Sequence, residues 1–121
     1  MSVTWRDVRE HLGSRYSIID DKQSIFTIMF QDGLRKQRVL VGGDDSVISY
    51  YAPFALVGQI QPGQALEASN MFAASVVGEL YYLRHLLLTA SLDATELEVP
   101  LRMMAAEADR IEREFGLGDN L

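Results

Sequence analysis

From Ala94 to Phe115 the apolar residues recur at alternating steps of four and three: Leu97, Leu101, Met104, Ala108, Ile111 and Phe115. At about 3.6 residues per turn this spacing aligns all six on one stripe of a helix. Glu98, Arg102, Glu107, Asp109, Arg110, Glu112, Arg113 and Glu114 occupy the rest of the cylinder, which reads as its solvated face. A helix divided in this way must press its stripe against a sheet or a second chain. Asp93 with Glu96 supplies a capping signal at its start. Gly116 and Gly118 end it, and the GLGDNL tail is expected to fray. Pro100 leaves two readings open: the helix proper begins there, or an early turn is kinked.

The opening residues predict a second helix, from Trp5 to Leu12. Thr4 is a good N-cap, Asp7 makes an approximate capping box, and Val3 with Val8 matches a hydrophobic staple. Trp5, Val8 and Leu12 form its inner face, and Gly13 is read as a left-handed stop. Strand signals follow at Tyr16 to Asp20, Ser24 to Gln31, Gln37 to Gly42 and Ser46 to Ala52. Asp32-Gly33 and Gly42-Gly43-Asp44-Asp45 supply the tight turns between the last three, an antiparallel meander. Pro53 is expected to end that run, since proline lacks a ladder donor. A loop through Pro62-Gly63 leads to a helix near Gln64 to Ala73, with Leu66, Ser69, Phe72 and Ala73 on its apolar face. Val76-Val77, a turn at Gly78-Glu79 and a long strand from Leu80 to Thr89 complete the middle of the chain. The order α-β-β-β-β-α-β-β-α describes one α+β domain, residues 1–121, with helices on an antiparallel sheet of five or six strands.

Composition narrows the function. The chain has 121 residues, 48% of them apolar, which suffices for one domain with a real core. It contains no cysteine, which excludes disulfides and thiolate metal sites and fits a reducing cytoplasm. No apolar run approaches the roughly 18–20 residues that span a bilayer, and MSVTWRDVREHLG lacks a signal peptide's apolar core. The formal net charge is −6, opposite to the basic footprint of nucleic-acid binders. The one basic cluster, Arg35, Lys36 and Arg38, reads as a solvated strand edge that discourages strand addition.

Catalytic signals are absent. His11 near the end of the first helix reads as a surface residue favouring the helix dipole. His85 lies in a strand, and two distant histidines do not make a metal site. Asp20-Asp21 and Asp44-Asp45 read as turn residues rather than cation ligands. No nucleophile elbow or phosphate-cradling loop is present. The chain is therefore expected to be non-enzymatic, without cofactor or metal. Tyr50-Tyr51 and Tyr81-Tyr82 each alternate along a strand, so one of each pair points inward and one outward. Outward tyrosines suit protein-binding surfaces. Tyr50, Tyr51, Tyr82 and Arg84 are the candidate partner-binding residues.

Three segments, Gln37-Arg38-Val39-Leu40-Val41, Gly78-Glu79-Leu80-Tyr81-Tyr82-Leu83-Arg84-His85 (with Asn70 before it) and Ala108-Asp109-Arg110-Ile111-Glu112, carry a likeness over nearly the whole chain. In wording and element order the chain resembles the YbjN-like and type III secretion chaperone-like (CesT-like) peptide-binding domains, and is nearer to the YbjN-like branch. The resemblance implies a small acidic domain, often a homodimer, that holds an extended or partly unfolded peptide of another protein. It brings no catalytic residue. A chaperone-like adaptor of this kind, acting in the cytoplasm through strand addition or an apolar groove, is the leading expectation. A regulatory or immunity-type module recognising one folded partner, and a small-molecule sensor, are the rivals.

Overall fold

The computed structural model describes residues 3–22, 24–33, 35–90, 92–118 and 121. Three helices and six strands run in the expected order: α1 (Trp5–Arg15), β1 (Ser17–Lys22), β2 (Ile25–Asp32), β3 (Arg35–Gly43), β4 (Val47–Leu56), α2 (Pro62–Glu67), β5 (Ala73–Val77), β6 (Leu80–Leu88) and α3 (Ala94–Glu114). All strands pair antiparallel in one sheet of order β1-β2-β3-β4-β6-β5. The α+β architecture expected from the sequence is therefore the observed one.

The α3 stripe lies on the sheet. Leu101, Met104, Ala108 and Ile111 are fully buried with Phe26, Ile28, Val41, Ile48, Tyr50 and Leu83 from one face of the strands. Each fully buried large aliphatic side chain contributes about 1.5–3 kcal/mol, so this stripe alone holds the helix down. Pro100 lies inside α3, which runs unbroken from its Asp93 cap; the Asp93 side chain accepts from the backbone N–H of Glu96 at 2.8 Å. At the far end Gly116 turns left-handed (φ +68), and Leu117 N–H donates to the Glu112 carbonyl at 2.7 Å. That is a Schellman ending, and Leu117 packs against the core. Residues 119 and 120 of the tail lie outside the described residues.

Several sequence expectations are corrected. Glu98, Glu107 and Glu112 are buried, not part of a solvated face, because partners from elsewhere in the chain meet them: His11 and Arg15 of α1 at Glu98, Ser69 at Glu107 and Arg35 of β3 at Glu112. The α1 capping box is present, but the helix continues through Gly13 to Arg15. Its last turn is held by Ser14 Oγ donating to the His11 carbonyl and by Arg15 reaching Glu98. Asp20 and Asp21 sit in β1 rather than in a turn. Arg35, Lys36 and Arg38 lie on β3, interior in the sheet order. Over these residues β3 pairs with β2 alone, so the cluster does stand on a local strand edge. Arg35 is not solvated there but turns to Asp109 of α3.

Pro53 does not end β4. The β3–β4 ladder stops at Leu40–Tyr51, whereas β4 continues beside β6 to Leu56 with a bulge after Pro53. The missing N–H therefore faces a gap in the sheet, and the Pro53 carbonyl on that side accepts from Gln37 Nε2 at 3.0 Å. Helix α2 starts earlier and stops sooner than expected. Pro62 fits its first turn, and Ser69 Oγ accepts the backbone N–H groups of Met71 and Phe72, diverting the chain out of helix. Leu66 is consequently exposed, Ala65 is the buried residue of α2, and Ala73 begins β5.

Candidate functional site

All three helices contact each other or the strands on one side of the sheet. Glu98 of α3 binds His11 and Arg15 of α1, and Arg110 of α3 donates to the Ala68 carbonyl beside α2 at 2.7 Å. The strand residues of opposite parity form the other face, which no described helix covers. Along it Leu40 lies across from Tyr51, Tyr51 across from Arg84, and Arg84 across from Ala73, one row over four adjacent strands.

The tyrosine pairs alternate as expected. Tyr50 turns inward and is fully buried, so it takes no part in an exposed patch; its hydroxyl donates to the Leu97 carbonyl. Burial raises its phenol pKa above the ordinary range. Tyr51 and Tyr82 sit half-buried on the open face with rings edge to face at 6.2 Å. Arg84 stands exposed beside Tyr51. Three of the four candidate residues thus share one surface.

The two sheet edges differ. β1 carries Asp20, Asp21, Lys22 and a bulge after Ile18, features that blunt an edge; Asp21 is also paired with Arg9. β5 reads Ala-Ala-Ser-Val-Val, regular and uncharged, with Val76 58% and Val77 56% exposed. Its hairpin with β6 closes at Val77–Leu80 through Gly78 (φ +61) and Glu79. Hydrogen-bonding direction alternates along an antiparallel pair, and the closing pair of a two-residue turn faces inward. Ala74 and Val76 therefore turn their N–H and C=O groups away from the sheet.

Their side chains point to the helical side and form one wall of a groove of about 270 Å³; Pro62, Ala65 and Leu66 of α2 form the other, with Tyr81 at its floor. Leu66 is 71% exposed at the rim. The connection between α2 and β5 is pinned from behind: Ser69 Oγ donates to Glu107 at 2.8 Å, and Glu107 is in turn paired with Arg110. Buried Glu107 thereby ties the α2–β5 connection to α3.

Sequence reasoning missed this edge. The signal was present in residues 72–77, an uncharged β-prone run without proline or lysine beside an amphipathic turn.

The remaining polar clusters are structural in chemistry. Glu98 accepts from Arg15 at 2.7 Å and Tyr16 at 2.9 Å, and lies 2.8 Å from His11 Nε2. The His11 and Arg15 contacts hold its carboxyl at about 2. His11 is thus a bridge between helices rather than a surface cap. A cleft of about 320 Å³ between α3 and the β2–β3 turn is lined by Phe30, Arg35, Gln37, Arg102 and Asp109. Arg35 there is engaged, 2.5 Å from Asp109 and 3.4 Å from buried Glu112. Among the described residues no cluster of three metal-ligating side chains occurs, and no helix is long and apolar enough to cross a membrane. Comparison of the chain with protein-family models, curated proteins and solved structures finds no match.

Proposed function

We propose that this domain is a non-enzymatic, chaperone-like adaptor that binds an extended segment of a partner protein by strand addition to β5. The observation that carries the reading is the β5 edge: a regular, uncharged strand with outward backbone groups beside an apolar groove. In strand addition the main-chain bonds supply affinity, and alternate side chains entering pockets supply specificity. An edge of this kind left bare is a liability that sheets ordinarily blunt, as β1 does here. The likeness to YbjN-like and secretion chaperone-like domains supports the same reading, and the cysteine-free composition supports a cytoplasmic setting. A folded-partner module is less favoured, because β5 offers a narrow ridge and groove rather than a broad rimmed surface. A sensor is less favoured because the Arg35 cleft is open and Arg35 already holds carboxylates.

The test is a displayed library of random extended peptides panned against the wild-type domain and against Val76→Pro, which deletes one outward donor while leaving the β5–β6 ladder intact. Peptides that bind the wild type, fail on Val76→Pro and protect the Ala74 and Val76 amides from hydrogen exchange support the proposal. Enriched peptides that bind both proteins equally overturn it.

The proposal includes a homodimer. Leu86 (58% exposed) and Leu88 (67% exposed) lie with half-buried Val47 at one end of the open sheet face, away from the β5 groove, where a second copy would cover them. Light scattering should give twice 13.6 kDa, reverting to the single-chain mass on Leu86→Glu. A single-chain mass for the wild type at high concentration removes the dimer.

A further inference from the structure

On the helical side of the sheet most arginines are held by carboxylates; Arg102 of α3 is exposed and, among the described residues, pairs with none. Arg6, Arg9, Arg15, Arg35, Arg110 and Arg113 are each paired with a carboxylate. Arg84 stands exposed on the open face, next to the β5 edge, and among the described residues no carboxylate pairs with it. Its neighbour towards the edge is Ala73, and the next β5 residue on that face is Ser75, which lies across from Tyr82. Both are small, so the path from Arg84 to the outside of β5 is not walled off.

A strand added to β5 lies two strand spacings from β6, about 9–10 Å, a gap that an arginine and a glutamate side chain cover between them. Its side chains alternate between the two faces of the sheet. One set enters the groove of Pro62, Ala65, Leu66 and Val76, which is almost wholly apolar. The other set emerges beside Ala73, within reach of Arg84.

Resting on the strand-addition reading, we infer that the bound segment alternates apolar and acidic residues, the apolar ones facing α2 and an acidic one meeting Arg84. The occupant is a partner peptide rather than a second copy of this edge, because β5 itself carries no acidic residue to offer Arg84. The chemistry that recognises the partner is thus divided by sheet face: apolar burial on one side, charge complementarity on the other.

Fluorescence anisotropy with labelled peptides of alternating valine and glutamate, alternating valine and lysine, and alternating valine and serine tests this. The wild type should bind the glutamate peptide about five- to tenfold more tightly than the lysine peptide, the range for one exposed charge contact made or reversed. Arg84→Glu should invert that order, and Val76→Pro should weaken all three. Equal binding of glutamate and lysine peptides by the wild type, with Val76→Pro still disruptive, overturns the acidic preference and leaves strand addition standing. Binding of all three that Val76→Pro does not weaken overturns strand addition itself, as does failure of all three to bind. A dimer that Val76→Pro dissociates in the absence of peptide assigns the edge to a second copy and likewise overturns the inference.

Discussion

The Tyr50 hydroxyl donates to the Leu97 carbonyl at 2.7 Å, from the middle of the sheet to the first turns of α3. Leu97 stands three residues before Pro100, in the stretch where proline removes one helical donor and crowds the preceding turn. Pro100 removes the helical donor to the Glu96 carbonyl, one residue before Leu97, and the Tyr50 bond fastens the adjoining turn of the continuous helix to the sheet. Tyr50→Phe keeps the packing and deletes the bond. It should destabilise the domain by about 1–3 kcal/mol, read as a lowered denaturant midpoint with an unchanged m-value.

Glu98 ties α1 to α3 and is held at about 2 from an ordinary 4.5, first by His11 and then by Arg15. As pH falls the unfolded chain takes up this proton before the folded one does. The stability Glu98 contributes is therefore whole above about 4.5 and is lost as pH descends towards about 2. Glu98→Gln should lower stability at neutral pH and flatten the acid limb of the profile. A denaturation series from neutrality to about pH 2, with an acid slope unchanged in the variant, would contradict this assignment.

His85 packs between Tyr50 and Phe72, ring centroids 6.4 and 5.6 Å away. Burial pushes its pKa below the ordinary 6.5, so the folded state favours the neutral ring. Its contribution is complete above 6.5 and declines as pH drops below that value, because the unfolded chain is protonated first. Titrating His85 by NMR should give a value under 6.5, and His85→Phe should remove the earliest part of the acid loss of melting temperature.

Met104 is fully buried under the sheet, whereas its neighbour Met103 is 43% exposed. Met104→Asp places an unpaired carboxylate in the core and should cost about 4 kcal/mol or more. Met103→Asp should stay within about 0.5–1 kcal/mol of the parent. Thermal melts of the two variants side by side check the orientation of α3; equal effects would refute it.

Gly43 closes β3 at φ +156, where an added Cβ would lie 2.3 Å from the Val47 carbonyl. The close approach lets Asp44 fold back and accept the backbone N–H groups of Ser46 and Val47. Gly43→Ala should destabilise by about 1–3 kcal/mol, whereas Gly63→Ala, which meets nothing within 4 Å, should be close to neutral. Chemical denaturation of both variants makes the comparison.

The residue order alone determined the α+β class, the run of elements, the inward stripe of α3 and the Thr4 cap, because periodicity, caps and turn residues are local properties. One inward and one outward tyrosine per pair was legible for the same reason. Tertiary structure decided where the sheet ends: β1 and Ala73–Val77 flank it, and Arg35–Arg38 of β3 is left without a neighbour on the β4 side, a choice made by pairing between distant segments. It also decided that Pro53 could continue a strand, since the neighbouring ladder stops before its missing donor is needed. The buried acids followed the same logic. Glu98, Glu107 and Glu112 look solvated on an isolated helix, and only His11, Arg15, Ser69 and Arg35, brought from far along the chain, make their burial tolerable.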